Sequence, residues 1–184
     1  ERQRSWDSES LTNNGPLLQE FEAGLNSYLG TNDCAVVSNG TVAIQVAMHA
    51  LGIQGEVITT PFSYVATTST IVWEGCTPVF VDVDPETFNI DASQIEAAIT
   101  DQTTAILATH VFGIPCDVDA IDAIAQKHGL KVVYDAAHCF GTEVRGASVL
   151  NFGDLATLSM HATKLMHSVE GGAIFINDKQ EPVG

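Results

Sequence analysis

Basic residues are scarce in this sequence, which carries 7 lysines and arginines against 23 aspartates and glutamates and has a net charge of −16. The basic residues are spread along the chain and form no stripe that could neutralise the phosphates of a nucleic acid. We therefore expect no nucleic-acid partner. An anionic small ligand would have to be held by backbone amides or by another chain.

Long apolar runs are also missing. No stretch reaches the roughly 18 residues of a membrane-spanning helix, and no charged segment followed by an apolar one marks a leader. We expect a soluble cytoplasmic chain without a membrane partner. The four cysteines lie far apart in sequence, which predicts reduced, mostly buried thiols and neither a zinc knuckle nor a redox motif.

Most of the chain alternates between strand and helix patterns. After a polar segment at residues 1–10, a helical pattern at residues 17–29 ends at Gly30. Seven predicted strands follow, at residues 34–37, 56–59, 79–83, 105–109, 131–134, 155–159 and 173–176. Helical stretches lie between most of them, at residues 41–51, 65–73, 92–99 and 118–128. This alternation predicts one α/β domain with helices on both faces of a parallel sheet. The last connection is too short for a crossover helix, so the final strand is expected to run antiparallel.

Polar residues collect after the carboxyl ends of these strands, which is where open α/β sheets bind ligands. One of only four lysines, Lys164, comes just beyond the sixth strand, between an apolar run and a glycine pair. Burial or nearby cations lower the pKa of a lysine amine and make it a usable nucleophile toward a carbonyl cofactor. For a lysine taken alone, the alternative is a solvated loop charge.

Other candidate residues follow neighbouring strands. The turn at residues 38–41 opens a helix, so its amides suit a phosphate, or it is a plain turn with a helix cap. Asp135 ends a buried strand, where a heterocyclic cation would satisfy its carboxylate, or else it caps a following helix. His138 would face the same way from the first turn of that helix. Tyr64 or Phe62 could cover a flat ring, although aromatic residues near strand ends are more often core.

The histidines do not indicate a metal. His110, His161 and His167 have no carboxylate spacing that supports a metal site, so we predict none and place them around the pocket as hydrogen-bonding residues. A phosphate-binding turn, an aromatic lid, a carboxylate for a ring nitrogen and a lone lysine are together the parts that bind pyridoxal 5′-phosphate, PLP. A nucleotide-binding Rossmann domain is disfavoured because no G-x-G-x-x-G motif follows the first strand.

The motifs also resemble a known family. SNGT at residues 38–41, EVITTPFSYVAT at 56–67, PVFVDVD at 78–84, YDAAH at 134–138 and SMHATKLMHSVEGG at 159–172 are similar to the DegT/DnrJ/EryC1/StrS sugar aminotransferases. The similarity extends over residues 11–178. It implies that residues 11–184 form the PLP-binding large domain of a fold-type-I transferase, a three-layer αβα domain around a mostly parallel seven-stranded sheet.

The resemblance also implies roles for individual residues. Lys164 would form the covalent bond to the cofactor aldehyde and Asp135 would pair with the pyridine nitrogen, so these two are the predicted catalytic residues. His138 would reach the 3-hydroxyl group, where many family members carry glutamine. Some relatives carry histidine in place of the lysine and catalyse a dehydration. Lys164 therefore indicates amino transfer.

The same resemblance completes the predicted cofactor site, with Gly40, Thr41 and Ser159 on the phosphate and Tyr64 stacked on the ring. It implies a PLP-dependent aminotransferase that moves an amino group from an amino acid, with L-glutamate expected, to a nucleotide-linked keto-deoxysugar. Such an enzyme would act as a homodimer in nucleotide-sugar and polysaccharide biosynthesis. The resemblance implies longer family members with a smaller carboxyl-terminal domain, which we expect to be absent from this chain. The alternative is a truncated, non-catalytic module that binds PLP or serves assembly.

Overall fold

The computed structural model describes residues 14–177, so the predicted polar segment at residues 1–10 and both ends of the predicted domain lie outside the described residues. The elements follow one another as α1 (Pro16–Leu29), β1 (Asp33–Val37), α2 (Gly40–Ala50), β2 (Glu56–Thr59), α3 (Val65–Trp73), β3 (Thr77–Phe80), α4 (Ala92–Ile95), β4 (Thr103–Thr109), α5 (Val118–His128), β5 (Lys131–Asp135), β6 (Glu143–Val144), β7 (Ala147–Ser148), β8 (Leu155–Ser159) and β9 (Gly172–Ile176). Short 3-10 helices lie at Glu96–Ala98, Val111–Gly113 and Val149–Asn151.

Seven of these strands form one sheet in the order β1-β9-β8-β5-β4-β2-β3. From β8 to β3 all neighbours are parallel, whereas β9 is antiparallel to both β8 and β1. The predicted mostly parallel seven-stranded sheet is confirmed, and so is the antiparallel last strand. The connection over residues 160–171 is too short for the crossover helix that a parallel strand would need.

Helices pack on both faces of the sheet and give the predicted three layers. On one face, a core cluster joins α2 and α3 to the sheet through residues such as Met48, Ile71 and Leu107. On the other face, α1 and α5 contribute Leu25 and Ile121 to a larger cluster. Neighbouring residues of β4 alternate between the two clusters, so both faces of that strand are buried. This double burial is why the central strands are continuous apolar runs in sequence.

Two predicted elements differ most from the structure in their boundaries. The strand predicted at residues 79–83 is Thr77–Phe80, because β3 is an edge strand that pairs only with β2, and Phe80 lies opposite the last residue of β2. The helix predicted at residues 92–99 is α-helical only over Ala92–Ile95 and continues as a 3-10 turn. The hairpin of β6 and β7 was not predicted, since strands of two residues have no readable alternation.

Two further expectations concern the chain as a whole. All four cysteines are free and buried, as the sequence predicted, and burial raises the pKa of the Cys116 and Cys139 thiols. Between residues 14 and 177, no helix combines the length and the apolar character that spanning a bilayer requires.

Candidate cofactor site

Asp135 is the last residue of β5, at the carboxyl edge of the sheet, and it is only 4% exposed. Its Oδ2 accepts a hydrogen bond from Thr67 Oγ1 at 2.8 Å, and its Oδ1 accepts one from the amide of Ala137 at 3.1 Å. A carboxylate has about four acceptor positions, so these bonds leave capacity for a cationic ring N–H. The alternative of a helix cap is wrong, because residues 136–142 form turns instead of a helix.

A chain of hydroxyl groups supports the Asp135 carboxylate, and sequence reasoning missed it. Thr67 Oγ1 lies 2.7 Å from Ser63 Oγ, which lies 3.0 Å from Thr109 Oγ1. Thr67 is fully buried, so the orientation of its hydroxyl is set by these partners alone. Ser63 and Thr67 are four residues apart, the first just before α3 and the second in its first turn. That spacing was the available signal.

The start of α2 has the features of an anion site. Asn39 caps this helix: its Oδ1 accepts the amide of Val42 at 2.9 Å, and its carbonyl accepts the amide of Ala43 at 3.0 Å. The first amides of a helix have no partner within the helix. The amides of Gly40 and Thr41 are therefore left for an anion, which the positive end of the helix dipole also favours.

Glycine at position 40 brings this helix against the end of β8. A Cβ atom at Gly40 would lie 2.9 Å from Ser159 Cβ and 3.3 Å from Ser159 Oγ, which is too close for a side chain. A Cβ atom at Gly172 would lie 2.8 Å from the Gly40 nitrogen. The predicted phosphate-binding residues Gly40, Thr41 and Ser159 thus meet in one small cradle. The glycines at positions 40 and 172 are what allow the start of α2 to approach the ends of β8 and β9 this closely.

Lys164 lies in the turn that joins β8 to β9. Hydrogen bonds across the turn connect Met160 with Gly171 and Ala162 with Val169, each at 2.8 Å. The Lys164 amide donates to the His161 carbonyl at 2.9 Å, and the Lys164 side chain is half-buried. The turn therefore fixes the backbone of Lys164 and does not leave it as a loose surface charge.

His138 connects the lysine with the carboxylate electrostatically. Its pKa is lowered, first by burial and then by the ammonium group of Lys164, while the carboxylate of Asp135 raises it. Both charges act on the same imidazole, so Lys164 and Asp135 lie on the same side of the domain. The sheet agrees, because β5, which ends at Asp135, pairs with β8, and Lys164 lies in the turn that follows β8.

The aromatic candidates are exposed, so the alternative that they are core residues is wrong. Tyr64 is 75% exposed and Phe62 is 43% exposed. Tyr64 immediately precedes α3, and its carbonyl accepts the amide of Thr67 at 3.1 Å. The ring of Tyr64 is thereby attached to the helix turn whose Thr67 bonds Asp135.

His110 lies beneath the site. It is fully buried, its Nδ1 accepts the amide of Cys116 at 2.9 Å, and its ring stacks on Tyr134 with centroids 4.6 Å apart. Burial lowers its pKa to about 3, so the ring is neutral. Its own amide donates to the carbonyl of Asp135 at 3.0 Å. Across the described residues, no group of three or more His, Cys, Asp or Glu side chains is arranged to hold a metal.

This sheet order, with a lysine and a buried carboxylate at its carboxyl edge, is that of the large domain of PLP-dependent transferases. The solved structures that it matches include an aminotransferase from Psychrobacter cryohalolentis and Spr1654 from Streptococcus pneumoniae in its PLP form. The chain belongs to the DegT/DnrJ/EryC1/StrS aminotransferase family, which it matches over residues 1–182. The family resemblance of the motifs is thereby confirmed.

Individual relatives agree with this assignment. The dTDP-4-amino-4,6-dideoxy-D-glucose transaminase of Shigella dysenteriae is 53% identical over 175 residues, which are 95% of this chain and 48% of the relative. The crystal structure of DesI in the presence of its TDP-sugar product has a TM-score of 0.91 and 40% identity, over 96% of this chain and 45% of DesI. Spr1654 from Streptococcus pneumoniae in its PLP form has a TM-score of 0.86 and 27% identity, over 100% of this chain and 51% of Spr1654. The chain spans about half the length of these relatives.

Proposed function

We propose that this chain forms the cofactor-binding part of a PLP-dependent aminotransferase that transfers an amino group from L-glutamate to the keto carbon of a nucleotide-linked deoxysugar. The observation that carries the proposal is that β5, which ends at Asp135, pairs with β8, and that the turn after β8 holds Lys164 while Gly40 packs against Ser159 at the end of β8. The substrate class is supported by the relatives, since one is a dTDP-sugar transaminase and another was crystallised with a TDP-sugar.

The cradle would bind the phosphate of the cofactor. The amides of Gly40 and Thr41 would donate to its oxygens, and the hydroxyl of Ser159 would add a third donor. The helix dipole alone contributes only about 0.3–1 kcal/mol, so the three direct donors are needed to hold the anion. Tyr64 would cover the ring face and exclude water from it.

Bound PLP supplies the electron sink that makes the α-carbon of the amino donor acidic. Asp135 would hold the proton on the ring nitrogen, and its orientation is fixed by Thr67 and by the amide of Ala137. Removing one member of such a buried ion pair costs about 3–5 kcal/mol. His138 would donate to or accept from the ring hydroxyl.

Lys164 has two roles in this proposal. Its Nζ would bind the aldehyde carbon of the cofactor at rest and would be released when the donor amine takes its place. The released Nζ would then act as the base that moves a proton from the α-carbon of the donor to the cofactor carbon. General acid–base catalysis by one positioned group contributes about 10²–10⁴-fold to the rate.

The remaining proposals concern the oligomeric state and the subcellular localisation. We propose that the protein acts as a cytoplasmic homodimer. A non-catalytic PLP-binding module is the second candidate.

Half-transamination separates the two candidates. Protein purified with PLP is mixed with excess L-glutamate, and the absorbance of the aldehyde and amine forms of the cofactor is followed. An aminotransferase converts one form into the other, whereas a binding module retains the aldehyde form.

Two lysine variants test whether Lys164 carries the half-reaction. Lys164→Ala is expected to slow conversion by at least about 100-fold. Lys127→Ala, which removes an exposed lysine paired with Glu96 away from the site, should convert like the unsubstituted protein. Conversion by Lys164→Ala at the unsubstituted rate would remove Lys164 from this role.

A further inference from the structure

Three exposed phenylalanines form a cluster, here called the aromatic platform, that consists of Phe62, Phe88 and Phe112. The rings of Phe62 and Phe88 stack with centroids 5.3 Å apart. Phe112 stands nearly perpendicular to both, at 6.3 Å from Phe62 and 6.4 Å from Phe88. Phe112 is 67% exposed. Each ring follows a different strand, so three loops converge to build the platform at the carboxyl edge of the sheet.

The platform is held in place at a conformational cost. Phe88 has a φ of 61° and Phe112 a φ of 54°, values in the left-handed region that costs a residue other than glycine about 1–2 kcal/mol. Asn89 holds the two loops together: it is 3% exposed, and its Oδ1 accepts the amide of Val111 at 2.8 Å. Its Nδ2 donates to two carbonyls at residues 114 and 115, each at 3.0 Å. Strained residues held by such bonds are typical of ligand-binding sites.

The platform is continuous with the candidate cofactor site. Phe62 precedes Ser63, whose hydroxyl belongs to the chain that ends on Asp135. On the other side, the rings of Phe112 and His138 are parallel within 3°, with centroids 6.4 Å apart. A substrate whose reacting end lies near His138 would therefore have its next part within reach of these rings.

The charges of the chain indicate which part of a substrate the platform suits. Among residues 14–177, every basic side chain other than Lys164 is paired with a carboxylate, in the pairs Lys127–Glu96, Lys131–Asp154 and Arg145–Asp119. These residues offer little free positive charge to a diphosphate. The aromatic platform instead offers an open, rigid surface of rings. A flat heterocycle stacks on such a surface whatever its hydrogen-bonding pattern.

We infer that the aromatic platform binds the base of the nucleotide-linked substrate, with Phe112 as the main stacking ring. This inference rests on the proposed function, because it names the part of that substrate which residues 62, 88 and 112 would recognise. Recognition by stacking predicts tolerance between bases of similar size, since every base has a π face.

The test compares binding of dTDP with binding of inorganic pyrophosphate, which lacks the base, by titration calorimetry. Phe112→Leu and Phe88→Leu keep apolar bulk and the same backbone constraint but remove a ring. Phe80→Leu is the matched control, because Phe80 is 50% exposed and lies at the end of β3 outside the platform. Phe112→Leu should weaken dTDP binding by about 10-fold, the effect of losing one base–aromatic contact, and leave pyrophosphate binding unchanged. Phe80→Leu should bind both ligands like the unsubstituted protein.

Three results would overturn the inference. The first is equal dTDP affinity in Phe112→Leu and Phe80→Leu. The second is dTDP binding no tighter than pyrophosphate binding. The third is a smaller assembly on sedimentation of Phe112→Leu with dTDP binding intact, which would make the platform a protein interface. The glutamate half-reaction of the unsubstituted protein is measured in parallel. If only the half-reaction fails, the proposed aminotransferase function is wrong. The dTDP comparison by itself shows whether the aromatic platform binds the base.

Discussion

Replacing Thr67 by valine tests whether the hydroxyl chain supports the Asp135 carboxylate. Valine has the shape of threonine but cannot donate the 2.8 Å bond to Asp135 Oδ2 or share the 2.7 Å contact with Ser63. A hydrogen bond to a charged group contributes about 1.5–3 kcal/mol, and a neutral one contributes about 0.5–1.5 kcal/mol. Because Asp135 is 4% exposed, water cannot replace the lost donor. We expect Thr67→Val to lower the free energy of unfolding by about 2–4 kcal/mol.

Thr67→Ser is the matched control. It keeps the hydroxyl and loses one buried methyl group, which is worth about 1 kcal/mol. Both variants are unfolded in urea without cofactor, and the free energies are compared at equal slopes. A difference of less than about 0.5 kcal/mol between valine and serine would refute the argument, because the hydroxyl would then contribute no more than a typical surface group.

Three further predictions follow from single groups. Val169 is 70% exposed and has a φ of 71°, a conformation that is strained for valine. Val169→Gly relieves this strain, although the larger entropy of glycine in the unfolded chain offsets part of the gain. We expect the free energy of unfolding, measured in urea, to rise by about 0.5–1 kcal/mol. The folded pKa of His110, about 3, lies below its value of 6.5 when unfolded, so stability should fall as the pH drops below 6.5, by about 1.4 kcal/mol per unit from this group. His110→Asn should lose less stability than the unsubstituted protein over that pH range. Finally, Lys164→Ala should raise the pKa of His138 in an NMR titration and Asp135→Asn should lower it, and an unchanged pKa in both would place those charges elsewhere.

The elements of the sheet could be predicted because most of their signals are local. Apolar runs bounded by turns located all seven strands of the sheet, and the short connection before β9 indicated its antiparallel direction. The ends of β3 could not be predicted from its own residues. They depend on the length of β2, the only strand of the sheet with which β3 pairs.

The candidate site also contains residues that could be predicted from the sequence and residues that could not. Asp135 and Lys164 were found because one lies at the end of a strand and the other in the turn that follows a strand, so chain position alone brings them to one edge. The hydroxyl of Thr109 was missed because its contact with Ser63 joins residues 46 positions apart. The sequence left the role of Phe62 open between a ring cover and a core residue, and Phe88 and Phe112 were missed, since composition cannot tell an aromatic residue beneath a loop from one above it.

The most direct test of the account is the site at which the cofactor attaches. Protein loaded with PLP is reduced with borohydride and digested, and the peptides are analysed by mass spectrometry. The account predicts a pyridoxyl group on the peptide that contains Lys164, and loss of this label in Lys164→Ala. A label on Lys127 or Lys131, or no label at all, would contradict it.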